Sequence, residues 1–167
     1  MTGVNVRPAR ADAGDESFLW RMLVEAASWR PGARKLSVGE AAANPSLARY
    51  VEGWGREGDR GLIAEVDAAA VGATWWRFFS VHDHGYGFIE PAIPELSIAV
   101  AEEMRGRGVG TALLEALINQ ARVDRVPALS LSVEVDNGAL RLYERLGFMR
   151  LGCVEDAWTM RRYTSAA

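Results

Sequence analysis

The stretch Met104–Leu114, MRGRGVGTALL, sets three glycines and two arginines against the start of an apolar helix. Gly106, Gly108 and Gly110 let the backbone turn tightly and let a ligand approach without Cβ interference. The helix that follows offers unpaired amides and the positive end of its dipole at Val109–Leu113. Arg105 and Arg107 stand beside those amides as charge-assisted donors. The combination suits a phosphate or pyrophosphate; taken alone, it also fits a tight solvent-exposed turn. A nucleoside-triphosphate loop is excluded, because no Gly-Lys-Ser/Thr supplies the lysine and the magnesium-binding hydroxyl. A dinucleotide fingerprint is disfavoured. The glycines are spaced GxGxG, Thr111 holds the third-glycine position, and the stretch lies late in the chain instead of at a first βα turn.

Reading outward, Leu96–Val100 is a short apolar run, a buried strand that delivers the chain into the loop. Downstream, Leu113, Leu114, Leu117, Ile118 and Ala121 mark one face of a helix that stops before Pro127. Leu129, Leu131 and Val133 alternate with serines as a half-buried strand. Asp136-Asn137-Gly138 then turns into a helix over Ala139–Leu146 with Gly147 as its C-cap. Phe148–Val154 and Trp158–Thr164 form a closing hairpin. Toward the N-terminus, Val4 and Val6 suggest a first strand, and Asp12 caps a helix whose apolar face runs from Phe18 to Ala27. Ser37–Glu40 has the form of a capping box. Asn44-Pro45 opens a further helical piece carrying Leu47, Tyr50, Val51 and Trp54 at helical spacing. Leu62–Val66 and Val71–Phe79 read as a hairpin, and Ser80–Pro94 as a long connection. Hairpins combined with one βαβ crossover predict an α+β (mixed α/β) domain with a mixed sheet, spanning residues 1–167 as a single unit.

Two blocks carry a family resemblance. Arg105-x-x-Gly108-x-Gly110, entered from its apolar strand, resembles the acetyl-CoA signature of the GNAT superfamily of N-acetyltransferases, (Gln/Arg)-x-x-Gly-x-(Gly/Ala). LSLSVEVDNGALRLYERLGF (Leu129–Phe148) resembles the same family's C-terminal motif of strand, Asn, helix, Leu-Tyr-Glu and Gly-Phe. Their order and spacing over Glu95–Phe148 agree with that family, while the N-terminal helices and the aromatic hairpin match it in layout only. The resemblance implies the acyl-CoA N-acyltransferase fold, a twisted mixed sheet of about six to seven strands flanked by about four helices.

The resemblance also implies a cosubstrate, acetyl-CoA, and a reaction: transfer of the acetyl group to a primary amine by direct attack in a ternary complex. A non-catalytic acyl-CoA-binding or sensing module on the same fold is the alternative. On this reading, backbone groups of Ile98, Ala99 and Val100 pair with the pantetheine arm. Amides of Arg105, Gly106, Arg107, Gly108, Val109, Gly110 and Thr111 hold the pyrophosphate, Asn137 binds the pantetheine or a neighbouring backbone group, and Tyr143 faces the thioester sulfur. Such chemistry needs a neutral amine, a polarised carbonyl and a proton for the leaving thiolate. Glu95, at the start of the strand beside the thioester, is the first candidate base, with Glu90 next and His82 or His84 behind it. Periodicity alone would place Tyr143 in the core with Leu140 and Leu146.

Trp75 and Trp76 face opposite sides of one strand, so at most one reaches an acceptor site. Trp29, Trp75 and Glu90 are the expected acceptor contacts, suited to a cationic amine with an apolar body. The formal charge of −3 argues against a nucleic-acid partner. Cys153, the single cysteine, permits no intrachain disulfide and is read as a buried small residue, and the His82-Asp-His84 run lacks a third well-spaced metal ligand, so no metal is expected. No apolar run is long enough to span a membrane, and MTGVNVRPARAD lacks a signal-peptide core, so a cytoplasmic location is expected. A homodimer is a further expectation of the resemblance.

Overall fold

β3 (Ala69–Arg77) organises the sheet, pairing antiparallel with β2 (Arg60–Val66) on one side and β4 (Glu95–Val100) on the other. The β2–β3 connection is a two-residue hairpin in which Asp67 and Ala68 both take positive φ, 51° and 64°, as the twist of a tight hairpin demands. β1 (Asn5–Pro8) extends this side. On the other side stand β5 (Ala128–Glu134), β7 (Ala157–Tyr163) and β6 (Met149–Val154), giving the order β1-β2-β3-β4-β5-β7-β6. The computed structural model describes residues 3–165. Among these described residues, seven strands and five α-helices form the mixed α+β architecture expected from the sequence.

The only parallel neighbours among the described strands are β4 and β5, and they are in register at a single pair, Glu95↔Ser130. The Ser130 amide donates to the Pro94 carbonyl at 3.1 Å. Beyond that point the two strands separate, which leaves the facing backbone edges of Leu96–Val100 and Leu131–Glu134 without each other as partners.

Alternation along β3 and β4 sorts the core into two layers. Trp76 and Leu96 face α4 (Val109–Val123) and α5 (Ala139–Arg145), where Leu113, Leu117 and Phe148 are buried. Trp75 and Ala99 face α1 (Ala13–Ala27) and pack with Phe18, Leu19 and Val51. The α1 layer is completed by α2 (Val38–Ala43) and α3 (Pro45–Ala48).

The helix starts follow the sequence signals. Asp12 accepts the Asp15 amide at 2.8 Å, and Asn44 accepts the Ser46 amide at 3.1 Å. Ser37 and Glu40 complete a reciprocal capping box. The helix expected to run from Asn44-Pro45 through Trp54 stops at Ala48 and continues as a hydrogen-bonded turn. Its periodicity reports burial: Tyr50, Val51 and Trp54 all point into the core although they are not helical. What fixes this turn is a buried ion pair. Arg77 on β3 grips Asp59 at 2.7 and 3.1 Å and donates to the carbonyls of Arg49 and Glu52 at 3.1 and 2.7 Å. Both charges are almost fully excluded from solvent, so they are tolerable only as a fully hydrogen-bonded set.

Candidate active site

The separation of β4 from β5 opens a cavity of about 1220 Å³ that reaches both faces of the sheet. Its wall includes Tyr143 from the α4–α5 layer and Tyr50 from the α1 layer.

At one end of the cavity is the glycine loop. Gly106 and Gly108 adopt φ of 72° and 81°, and Gly108 is the N-cap of α4 with no side-chain cap. The first intrahelical bond is Ala112 N–H to the Gly108 carbonyl, so the amides of Val109, Gly110 and Thr111 have no partner within the helix. The left-handed turn at Gly108 costs a side-chain-bearing residue about 1–2 kcal/mol. The Arg105 guanidinium is not a free anion donor. It bonds the Val100 carbonyl at 3.1 Å and Glu25 of α1 at 3.1 Å, tying the loop to the opposite layer. Arg107 is exposed and lies off the cavity wall, and the Val109 side chain is buried behind it.

Along the cavity, Ile98, Ala99 and Val100 present the edge of β4. Asn137 lies opposite, its Oδ1 accepting the amide of Ala139, the first residue of α5, at 2.9 Å. Tyr143 is buried on the wall of the cavity, edge-on to Phe148 at 6.0 Å, and burial raises its phenol above the ordinary tyrosine range.

Glu95 is on the α1 side, only 3% exposed. Its Oε1 accepts the Tyr50 hydroxyl at 2.7 Å and the Gly87 amide at 2.9 Å, while its Oε2 has no partner. Burial raises this carboxyl from 4.5 to about 7 against the opposing pull of those two donors. The same burial, with the neighbouring carboxylate, holds the Tyr50 phenol well above its usual range.

The connection from Ser80 to Pro94 delivers Gly87 to Glu95 by crossing β5, where a Cβ on Gly87 would lie 2.5 Å from the Leu131 carbonyl carbon. Tyr50 and this crossing loop are the parts of the site that sequence reasoning missed. Tyr50 carried only a core-burial signal, and the spacing Gly85-Tyr86-Gly87 was the one available hint that the backbone makes close contacts here.

Several expected residues lie elsewhere. Trp75 is buried in the α1 layer with its indole donating to the Tyr50 carbonyl at 2.9 Å, so it backs the site instead of touching an acceptor. The register explains this: Trp75 pairs with Ser97 inside the sheet, two places from the gap. Glu90 is exposed and off the cavity wall, because the connection turns outward before re-entering at Ile93. His82 is exposed, and His84 stacks on Phe88 at 4.5 Å with Nδ1 2.9 Å from the Gly85 carbonyl. Trp54 is in the core, and Cys153, expected to be buried, is exposed on the edge strand β6. Trp29 does line the cavity, with the Arg30 guanidinium over its ring at 4.7 Å. Arg30 in turn spans the mouth to Glu134 and Asp136 at 2.5 and 2.6 Å. Among the described residues no group of three or more His, Cys, Asp or Glu could hold a metal, and no helix is long and apolar enough to cross a membrane.

A profile described as the acetyltransferase (GNAT) family matches residues 20–148. The chain belongs to that family. Within the family, mycothiol acetyltransferase from Nocardiopsis dassonvillei is 31% identical over 148 residues, which cover 87% of this chain and 42% of that protein. L-2,4-diaminobutyric acid acetyltransferase from Nocardia farcinica is 33% identical over 82 residues, 47% of this chain and 37% of that one. The chain therefore spans less than half the length of these curated relatives. The GNAT fold is seen also in the ribosomal-protein-alanine N-acetyltransferase of Brucella melitensis, with a TM-score of 0.69 at 24% identity, covering 95% of this chain and 99% of that one. Salmonella typhimurium yncA, solved with its cofactor acetyl-CoA, superposes with a TM-score of 0.70 at 22% identity, covering 99% and 96% of the two chains.

Proposed function

We propose that the protein is an acetyl-CoA-dependent N-acetyltransferase that acts on a primary amine by direct attack in a ternary complex. The observation that carries this reading is the single cavity joining three things. They are the uncapped start of α4, the unpaired edge of β4 and a buried carboxyl poised near neutrality. The site fits the cosubstrate: the helix-start amides suit a pyrophosphate, and a strand edge without a neighbour suits a polar extended arm. When bound, acetyl-CoA supplies the acyl group as a thioester.

The amides from Gly106 to Thr111 hold the pyrophosphate, the Arg105 amide being taken instead by the Glu102 carbonyl at 3.3 Å, and Ile98, Ala99 and Val100 with Asn137 hold the pantetheine arm. The Glu95 carboxylate accepts the ammonium proton of the acceptor, through a water molecule because Oε2 is shielded from open solvent. A group titrating at about 7 is well matched to that task at neutral pH. Tyr143 holds its proton tightly, so its Oη serves the leaving sulfur as a hydrogen-bond donor and not as a full acid.

The cavity wall combines Trp29, Leu47 and Tyr86 with the carboxylates Glu155 and Asp156. Arg30 on that wall is already engaged by Glu134 and Asp136, and Arg105 by Glu25. A cationic amine without a carboxylate therefore fits it best. The test is release of CoA thiol with the matched pair 1,3-diaminopropane and L-2,4-diaminobutyrate, which differ by one carboxylate. The diamine should have the higher kcat/KM, and preference for the amino acid would overturn the acceptor assignment. Binding of acetyl-CoA without thiol release for any amine would replace the enzyme by a non-catalytic acyl-CoA-binding module.

A further inference from the structure

The segment that brings Gly87 to Glu95 does more than fill space. The Tyr50 hydroxyl donates to Glu95 Oε1 at 2.7 Å and simultaneously accepts the Tyr86 amide at 2.8 Å. Tyr50 is itself fixed through its carbonyl, which accepts the Trp75 indole N–H at 2.9 Å. Its ring lies edge-on to Phe79 at 5.7 Å. On the far side the backbone of Gly85 presses so closely that a Cβ there would lie 2.2 Å from the Tyr50 hydroxyl and 2.3 Å from Glu95 Oε2. One phenol oxygen thus joins the buried carboxylate to the loop that carries Tyr86, whose side chain is 64% exposed and lines the cavity.

We propose that Tyr50 is a positioning residue that fixes the Glu95 carboxylate for proton acceptance and couples it to the Gly85–Gly87 loop on the acceptor side of the cavity. The proposal rests on the reading of Glu95 as the base. By holding Oε1, Tyr50 and Gly87 leave Oε2 as the oxygen with no competing donor, and Gly85 supplies the space that this requires. Through the Tyr86 amide, displacement of the loop by an acceptor would alter the donor set at the base.

The groups that face Glu95 are limited. Tyr50 and Arg49 come from the segment after α3, and Arg49 pairs with Asp83 at 3.2 Å and donates to the His84 carbonyl. His84 comes from the crossing loop and, like Arg49, acts on Glu95 in the direction that favours the ionised carboxylate. Arg77 is the register partner of Glu95 on β3 but is committed to Asp59. β5 contributes only the uncharged Ser130 at this level.

The phenol donates to the ionised form, so it pulls the carboxyl downward. Removing the hydroxyl in Tyr50→Phe should therefore move the acid limb of the kcat/KM profile up by about one pH unit. It should also lower kcat at pH 7 by about tenfold, since a larger share of the base is protonated and its oxygen is less well fixed. The KM for acetyl-CoA should be unchanged. Gly85→Ala, acting from the opposite side, should lower kcat in the same sense, again with acetyl-CoA binding retained. An acid limb that stays in place in Tyr50→Phe overturns the proposal, even if the melting temperature falls, because a packing role would change stability alone. Retained turnover in Glu95→Gln would instead remove the base assignment, and the proposal with it. These two failures are distinguished by whether Glu95→Gln is inactive.

Discussion

Glu95→Gln should separate stability from activity in a pH-dependent way. A carboxyl whose value rises from 4.5 to about 7 on folding binds its proton more tightly in the native state. Below 4.5 both states are protonated and the group costs nothing. As pH rises from 4.5 through 7, the unfolded chain ionises first, so native stability falls across that window and stays lower above it. The total is about 3 kcal/mol at 1.36 kcal/mol per unit. Glutamine keeps an oxygen for the Tyr50 hydroxyl and the Gly87 amide but places an NH2 where Oε2 stood unpartnered, which costs about 1–3 kcal/mol. At pH 8 the variant should therefore be more stable than wild type by about 1 kcal/mol, and at pH 5 less stable by a similar amount. Differential scanning fluorimetry of both proteins at the two pH values reads this directly. The difference in Tm should swing by roughly 5–10 °C and change sign, while kcat falls by about 10²–10⁴. A Tm difference that is the same at pH 5 and pH 8 would refute the account of a buried carboxyl titrating near neutrality.

Tyr143→Phe should lower kcat by about tenfold, the loss of one hydrogen bond, with no change in the KM for acetyl-CoA. Unchanged kcat in steady-state assays would remove Tyr143 from the chemistry. Arg77→Met would strand the Asp59 carboxylate in the core, and should cost about 3–5 kcal/mol by urea denaturation. A loss under about 1 kcal/mol would contradict the view that this pair locks the Tyr50 turn to β3.

The glycine-loop end of the cavity was readable in the sequence because it is built from local chemistry. Gly106 and Gly108 needed positive φ, the helix after them needed an uncapped start, and both are properties of adjacent residues. Asn137 and Tyr143 were accessible through a contiguous motif. The strands were legible for the same reason, since alternation along Leu129–Val133 and the two apolar runs of the hairpin are period-two signals. The Tyr50–Glu95 end of the cavity was not legible because it is assembled across long separations. Tyr50 meets Glu95 across 45 positions, and its helical spacing with Leu47 and Val51 looked like ordinary core packing. Trp75 was expected in the acceptor site because alternation gives the side of the sheet a residue faces, not its distance from the gap. Arg105 was expected to be free for an anion, but Glu25 reaches it from α1, a contact that no local pattern encodes.

The most direct test of the central claim, that the cavity between β4 and β5 is an acetyl-CoA site anchored on the glycine loop, is calorimetric titration. Acetyl-CoA would be titrated into the wild-type protein and into Gly108→Val, with NAD as the control ligand. Gly108 stands at φ 81° beside the free helix-start amides, so a branched side chain there both strains the turn and covers the donors. One acetyl-CoA per chain should bind to wild type, binding should be lost in the folded variant, and NAD should give no heat. Unchanged acetyl-CoA affinity in Gly108→Val, or preferential binding of NAD, would contradict it.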